Sequence, residues 1–168
     1  MKRYWQHFKA LLKHKWLVLR ECWKRGLYWR GLVHDLSRFR PSEFLPLARA
    51  LYNPDGTPTD PSSVSTNPDY RRACLLHCHR NTHHPENWVL PRHEVEGSNG
   101  NLLRAEVLPM NERDAIEAVC DLIAVVEANN GSLSEAFDKI QTLPMHTFTR
   151  DRILKTLAEA LDDHLRGS

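Results

Sequence analysis

The sequence contains no long apolar run. None of its 168 residues belongs to a stretch approaching the roughly 18 consecutive apolar residues that a membrane-spanning helix needs. Residues 1–16 interleave basic with apolar side chains, so the uninterrupted apolar core of a signal peptide is missing as well. We therefore expect no membrane segment and a cytoplasmic location.

Cysteine is scarce. The four cysteines, Cys22, Cys74, Cys78 and Cys120, lie within periodic apolar segments, and without a secretory signal we expect them to be reduced and mostly buried. No second cysteine pair follows Cys74 and Cys78, so a structural zinc motif is incomplete. These two thiols remain candidates for a zinc site shared with the nearby histidines.

Internal repeats and low-complexity tracts are also absent, and helical signals run through most of the chain. The pattern predicts one all-α domain over residues 1–168, a bundle of five to seven helices. The helices are expected at residues 2–25, 41–52, 69–83, 111–128, 132–143 and 149–165. A proline-rich loop insertion is expected at about 53–68, and an irregular loop or small hairpin at 91–107.

Charge is unevenly distributed, although the net charge is only +2. Residues 1–40 contain 11 Lys and Arg against Glu21 and Asp35, hence +9, and the remainder carries −7. A basic N-terminal face can attract phosphates, nucleic acid or an anionic surface. A solvated helix face that balances the acidic half is the simpler interpretation.

The first predicted helix has one apolar side and a second surface that includes His14. Six residues recur at three- and four-residue steps and predict its core-facing side: Trp5, Phe8, Leu12, Trp16, Leu19 and Trp23. A separate basic arc consists of Lys2, Lys9, Lys13, Arg20 and Lys24. His14 lies off that arc, near the line of Leu11, Val18 and Glu21. We therefore expect His14 to face a second contact surface.

Histidine is abundant: there are ten, and four of them, at positions 77, 79, 83 and 84, lie in "LLHCHRNTHHPENW". On a helix, His79 and His83 are one turn apart and share a face, as metal-binding pairs often do. His84 would lie next to that face, and His77 would be displaced from it. A histidine-rich surface helix fits this pattern equally well.

Two carboxylates stand alone in a later apolar helix. Glu117 and Asp121 are the only charged residues of "AIEAVCDLIAVV", at i and i+4 on one stripe. Asp121 has Cys120 and Leu122 as neighbours, so part of its environment should be apolar. A lone buried carboxylate is unfavourable, and a metal ion would remove that penalty, as would an N-capping role or an arginine partner.

In "GLVHDLSRF", His34 and Asp35 stand side by side within an apolar run. The order of His14, this pair and Asp121 resembles the HD-domain superfamily of metal-dependent phosphohydrolases. Three longer stretches, "HKWLVLRECWKRGLYWRGLVHDLSRF", "HRNTHHPENW" and "AVCDLIA", resemble a set of uncharacterised bacterial and phage proteins with an HD-type fold. Many of those relatives carry Lys where Arg38 stands, which keeps the charge but changes its geometry.

The resemblance implies an HD-like helical bundle with a divalent metal. Some HD proteins hold a second ion through two additional histidines, for which His79 with His83 or His84 is the match. The implied ligands are His14, His34, Asp35, His79, His83 and Asp121. Imidazole and carboxylate suit Mn, Fe, Co, Ni or Zn, so one or two ions of such a metal are expected.

The implied activity is hydrolysis of a nucleotide or another small phosphorylated molecule by metal-activated water. Asp35, Arg38 and His84 are the expected catalytic residues, with Arg38 clamping phosphate and His84, if it is not a ligand, acting as general acid. Arg38, Lys15 and Asn81 are expected to bind substrate.

Two alternatives remain at this point. A di-iron HD-type oxygenase uses the same ligand pattern. A non-catalytic nucleic-acid-binding module would use the basic first helix. Trp5, Trp16 and Trp23 could then stack on bases, although their helical spacing is more typical of core residues.

Overall fold

The structure, a computed structural model, describes residues 1–94, 102–143 and 145–166. These ranges contain eight α-helices and one two-stranded antiparallel sheet. The helices are α1 (Lys2–Lys24), α2 (Tyr28–Val33), α3 (Pro41–Leu51), α4 (Pro61–Thr66), α5 (Pro68–Arg80), α6 (Glu112–Ala128), α7 (Leu133–Thr142) and α8 (Thr147–Arg166). The strands are β1 (Val89–Glu94) and β2 (Leu102–Val107), and short 3-10 helices cover Leu36–Phe39 and Pro85–Trp88.

The all-α prediction is confirmed, and each expected helix is present. The described residues contain more helices than the five to seven expected. The difference comes from two six-residue helices, α2 and α4, which were not predicted. Helix α4 lies inside the predicted loop insertion, where Asp60 caps it by accepting from the backbone N–H of Ser63. The small hairpin expected at 91–107 is present as β1 and β2, while "EGSNGN" (96–101) lies outside the described residues.

Helix α6 is the centre of the bundle. It packs against α1 on one side and against α7 and α8 on the other. Toward α7 and α8, Val119 and Ile153 belong to one buried apolar cluster, whereas Cys120 and Val18 belong to a second cluster toward α1. This central position carries Glu117 and Asp121 into the interior of the protein. None of the helices in the described ranges is both long and apolar enough to cross a membrane.

The side of α1 that faces the core is opposite to the side that was predicted to do so. Trp5, Trp16 and Trp23 are all at least 60% exposed, so their assignment to the core is wrong. The buried side includes Leu11 and Val18 and is the second contact surface expected for His14. The reason is that both sides of α1 are apolar, and α6 packs on the side that holds the histidine.

Helix α2 lies very close to α1 because Gly31 stands at the contact. A Cβ atom on Gly31 would lie 2.7 Å from Cβ of Cys22 and 3.2 Å from Cα of Leu19. Cys22 is fully buried, so it cannot yield easily. The missing side chain thus lets α2 approach α1 and sets the position of the residues that follow α2.

Replacing Gly31 with Ala is therefore expected to lower the free energy of unfolding by about 1–3 kcal/mol through overpacking. Gly131→Ala is the matched control, because the nearest atom to its new Cβ is the flexible Glu135 carboxylate, at 3.1 Å. Chemical denaturation of both variants measures the difference. Equal stability of Gly31→Ala and the wild type would contradict the close packing.

His7 is buried on α1 away from the other histidines of interest. Its ring lies 5.0 Å from that of Phe44 and 6.3 Å from that of Tyr52, and its Nε2 has no hydrogen-bond partner. Burial, with a smaller contribution from Arg38, lowers the pKa of His7 from 6.5 to about 4. The folded protein therefore holds this imidazole neutral.

This shift makes stability depend on pH. Because the unfolded chain binds the proton more tightly, the contribution of His7 is complete above pH 6.5 and is lost as the pH falls toward 4. We expect the variant His7→Phe to lose less stability over this range than the wild type, by on the order of 2 kcal/mol. Unfolding measured from neutral to acidic pH tests this, with His79→Phe at an exposed position as the control. Parallel profiles for His7→Phe and the wild type would refute it.

Candidate metal centre

Four separate parts of the chain bring imidazoles and carboxylates to one place. Helix α1 supplies His14, the end of α2 supplies His34 and Asp35, and α6 supplies Asp121. The C-terminal part of α5 and the turn after it supply His77, His83 and His84. His34, Asp35, His77 and His83 are all at most 5% exposed.

The His34–Asp35 pair sits at a sharp change of backbone direction. Asp35 has φ 53°, in the left-handed region that Asp tolerates better than most residues. The Lys15 ammonium donates to the carbonyl oxygens of Leu32 at 2.7 Å and of His34 at 2.9 Å, which satisfies the open C-terminal end of α2. Lys15 thus braces this turn, and its expected role in substrate binding stays a prediction.

A first group of ligand atoms surrounds His34. Its Nε2 lies 3.6 Å from Oδ2 of Asp35 and 3.7 Å from Oδ1 of Asp121. His14 Nε2 lies 3.0 Å from Asp121 Oδ1 and 4.0 Å from Asp35 Oδ2. The expected ligands His14, His34, Asp35 and Asp121 are thereby brought together, although they come from three helices far apart in sequence.

A second group shares Asp35 with the first. His77 Nε2 lies 3.4 Å from Asp35 Oδ2, and His83 Nε2 lies 3.4 Å from the other oxygen, Oδ1. His84 Nε2 is 2.9 Å from His77 Nε2. One ligand atom from each of Asp35, His77, His83 and His84 falls within 4.8 Å of the others. Asp35 is the residue common to both groups, and His83 also lies near Asp121, at 4.0 Å.

Two buried carboxylates hold the other nitrogen of three of these histidines. Glu117 Oε1 lies 2.9 Å from Nδ1 of His34 and 3.5 Å from Nδ1 of His83. Glu43, which is fully buried, lies 3.1 Å from Nδ1 of His77. A carboxylate on Nδ1 orients the ring and leaves Nε2 for a ligand, the arrangement found around metal-binding histidines.

The outer carboxylates are themselves held in place. Arg30 donates to both Glu117 and Asp114. Ser37 Oγ donates to Glu43 at 2.9 Å, and Arg80 donates to the same carboxylate. The imidazoles therefore rest on a network of ion pairs and hydrogen bonds, not on packing alone.

Several inward-facing atoms of the site have no hydrogen-bond partner. They are Nε2 of His14, His34 and His83, and Oδ1 of Asp35. Buried polar atoms in native proteins are nearly always satisfied, so four such atoms in one place need an explanation. A cation coordinated by them accounts for all four, and the residues present fit a metal ion of the kind bound by nitrogen and oxygen.

The charges of the site favour a cation. Burial lowers the pKa of His34. The carboxylates of Asp35, Asp121 and Glu117 outweigh this effect and raise the pKa of His34 to about 10. Burial raises the pKa of Asp121, but the adjacent imidazoles of His14 and His34 hold it well below its usual range. Without a metal, a proton on His34 thus offsets part of the carboxylate charge.

The histidines after α5 behave differently. Burial, together with the charge of His34, lowers the pKa of His83 to about 4. Burial and then the nearby His77 likewise lower the pKa of His84. These imidazoles are neutral at pH 7, which is the form that binds metals.

Arg38 lies at the edge of the two groups. Its Nε donates to Asp35 Oδ2 at 2.8 Å and to His77 Nε2 at 3.2 Å. Its side chain is 29% exposed, and among the described residues neither terminal nitrogen has a hydrogen-bond partner. The guanidinium can therefore meet an anion that approaches the site.

Asn81 is engaged within the protein. Its side-chain nitrogen donates to the backbone carbonyl of His77 at 2.8 Å and to Ser37 Oγ at 2.9 Å. The amide therefore fixes the end of α5 beside the site. Its predicted contact with a substrate stays a prediction.

The prediction that His79 and His83 share a helix face is wrong, because α5 ends at Arg80 and His83 lies in the turn beyond it. His79 is exposed on α5 and, among the described residues, is in none of the groups with metal-ligand spacing. His77 stands in the ligand position that was predicted for His79. It lies four residues after Ala73, so both are on the inner side of α5, where they are buried. That spacing is the sequence signal that indicates His77.

The cysteines contribute little to the site. Cys22 and Cys120 are buried, while Cys74 and Cys78 are half-buried. Cys78 lies within metal-ligand spacing of His84 and Glu86, but Cys74 joins no such group among the described residues. The alternative zinc site on both thiols is therefore not assembled in the described part of the chain.

The chain matches the model of a known protein family. The profile of a family described as "Family of unknown function (DUF5662)" matches residues 3–163. No curated protein and no solved structure matches the chain.

Proposed function

Because the chain belongs to the DUF5662 family, whose function is unknown, we propose a function from the site itself: metal-dependent hydrolysis of a nucleotide or another small phosphorylated molecule. The observation that carries the proposal is the shared carboxylate. Asp35 offers one oxygen toward His77 and the other toward His83, and it also faces His14 and His34. A carboxylate in that position suits a site for two ions.

The proposed roles follow from position. His14, His34, Asp35 and Asp121 would hold one ion, and Asp35, His77, His83 and His84 would hold the other. A divalent metal bound here supplies a water of lowered pKa and positive charge near the phosphoryl group. Glu117 and Glu43 keep the imidazoles oriented throughout.

Arg38 supports a phosphorylated substrate. Within the part of the chain that the structure describes, its terminal nitrogens have no hydrogen-bond partner. Its Nε is held by Asp35, so the fork is fixed next to the ligand atoms. A fixed guanidinium fork binds two phosphate oxygens at once. We prefer hydrolysis to the oxygenase alternative for this reason, since activation of dioxygen does not require an anion clamp. His84, as a ligand of the second group, is then less suited to be the general acid.

Phosphate release from a panel of nucleotides and sugar phosphates, with Mn²⁺ or Co²⁺ added, tests the proposal. We expect activity on at least one compound, lost in His34→Ala and strongly reduced in Arg38→Ala. Metal-loaded protein that hydrolyses none of them, but shows iron absorption and consumes oxygen, would replace the proposal with the oxygenase.

A further inference from the structure

The exposed side of α1 carries a row of tryptophans. Trp5 is 60% exposed, Trp16 64% and Trp23 62%, and Leu12 between them is 46% exposed. At about 100° per residue these four residues lie within roughly 40° of one another, along about 27 Å of the helix. We call them the tryptophan stripe. Its indoles expose on the order of 400 Å², the size of the largest apolar patch on a typical monomer, which is often functional.

Basic residues run beside the stripe. Lys2, Lys9 and Lys13 are exposed on its flank, and Glu21, the one acidic residue of α1, is buried on another side. Among the described residues, neither Lys9 nor Lys13 has a carboxylate within 4.0 Å. Farther along the same side of α1, Arg20 and Lys24 are paired with Glu127 and Glu21. The positive charge without a carboxylate partner is therefore that of Lys9 and Lys13, and the occupant that complements it is an anionic one.

Helix α2, which packs beside α1, exposes apolar side chains of its own. Its Gly31 lies close to Leu19, on the border of the stripe. Trp29 is 70% exposed, and Leu32 and Leu36 are each about half exposed. Exposed apolar side chains are therefore not confined to α1.

We propose that the tryptophan stripe lies on the surface of an anionic lipid bilayer. The indoles would enter the headgroup region and the lysines would meet lipid phosphates, as in helices that bind parallel to a membrane. His14 lies roughly 160–180° around α1 from the stripe, so the docked helix keeps its metal-facing side away from the lipid.

The two other occupants fit less well. A second copy related by two-fold symmetry would bring the same basic flank to the interface twice, with no anionic partner for Lys9 and Lys13. Base stacking by nucleic acid needs free ring faces. Trp5 already stacks on Phe8 at 5.9 Å with the Lys9 ammonium 6.0 Å from its ring, and Trp23 packs against a neighbouring tyrosine.

Co-sedimentation of the full chain with vesicles tests the proposal. We expect binding to phosphatidylcholine vesicles that contain phosphatidylglycerol, weakening with added salt, and little binding to phosphatidylcholine alone. Trp16→Ser should lower the partition coefficient about tenfold, the effect of losing one buried indole. Reversing Lys9 and Lys13 to Glu together should lower it at least about tenfold, without touching the apolar surface.

Phe148→Ser is the matched control, because it removes an aromatic ring that is 56% exposed on α8, outside the stripe. It should bind vesicles like the wild type. Three results would overturn the proposal. The first is no binding to anionic vesicles, and the second is a dimer in solution that Trp16→Ser dissociates. The third is salt-sensitive binding of single-stranded DNA that Trp16→Ser abolishes, in a protein that does not bind vesicles. The charge-reversed variant keeps the test valid if Trp16→Ser does not fold.

Discussion

Replacing Asp35 with Asn is expected to remove metal from both ligand groups, because Asp35 is the one carboxylate that the two groups share. The amide has the shape of the carboxylate and also tolerates the left-handed backbone at this position, with φ 53°. The fold should therefore survive while the anionic ligand is lost. We expect metal affinity to fall by more than about 100-fold, beyond the usual effect of losing an outer-shell partner.

Equilibrium dialysis against Mn²⁺ and Zn²⁺ measures this loss, with circular dichroism to verify folding. Asp55→Asn is the matched control, since Asp55 is exposed in the turn before α4 and lies away from the site. Retention of wild-type affinity by Asp35→Asn would mean that the convergence of side chains around Asp35 is not a metal centre.

Replacing Glu117 with Gln is expected to weaken metal binding without removing a ligand. Glu117 faces Nδ1 of both His34 and His83 and accepts from Arg30. An amide cannot accept from all of these groups as a carboxylate does, so the two imidazoles lose their common orientation. We expect a loss of metal affinity of about 10- to 100-fold.

The variant Glu127→Gln serves as control, because Glu127 lies on the same helix but pairs with Arg20 at the surface. Titration calorimetry with a single metal compares the two variants. Unchanged affinity in Glu117→Gln, in a protein that is folded, would show that the carboxylate serves stability alone. A fall in stability without a fall in affinity would lead to the same conclusion.

The bundle could be predicted from the sequence because most of its helices have local sequence signals at their ends. Asn111 caps α6 by accepting from the backbone N–H of Asp114, and α1 ends just before Gly26, whose φ of 71° suits glycine. Helix α2 was missed because it has only six residues and follows α1 closely. Short helices depend on tertiary packing, here the contact at Gly31, which no local pattern shows.

The centre of the candidate site could be predicted, but its outer parts could not. His14, His34, Asp35 and Asp121 were selected through order along the chain, and the structure brings them together. Glu43 gave no signal, since a glutamate in the first turn of a helix is ordinary, and only the fold places it against His77.

The tryptophans show the opposite failure. Periodicity identifies an apolar side of α1, but it does not show whether that side meets another helix or the outside of the protein. Val18, on the other side, is fully buried, while Trp16 is 64% exposed. The choice between two apolar sides is made by α6 and its carboxylates, which are distant in sequence.

Elemental analysis of freshly purified protein tests the central claim most directly. The molar concentration of each of Mn, Fe, Co, Ni and Zn, divided by the molar concentration of the protein, gives the number of ions per chain. The two ligand groups around Asp35 predict one or two ions, falling to none in Asp35→Asn. Wild-type protein that holds no metal, and takes up none after dialysis against each of these ions, would contradict the account.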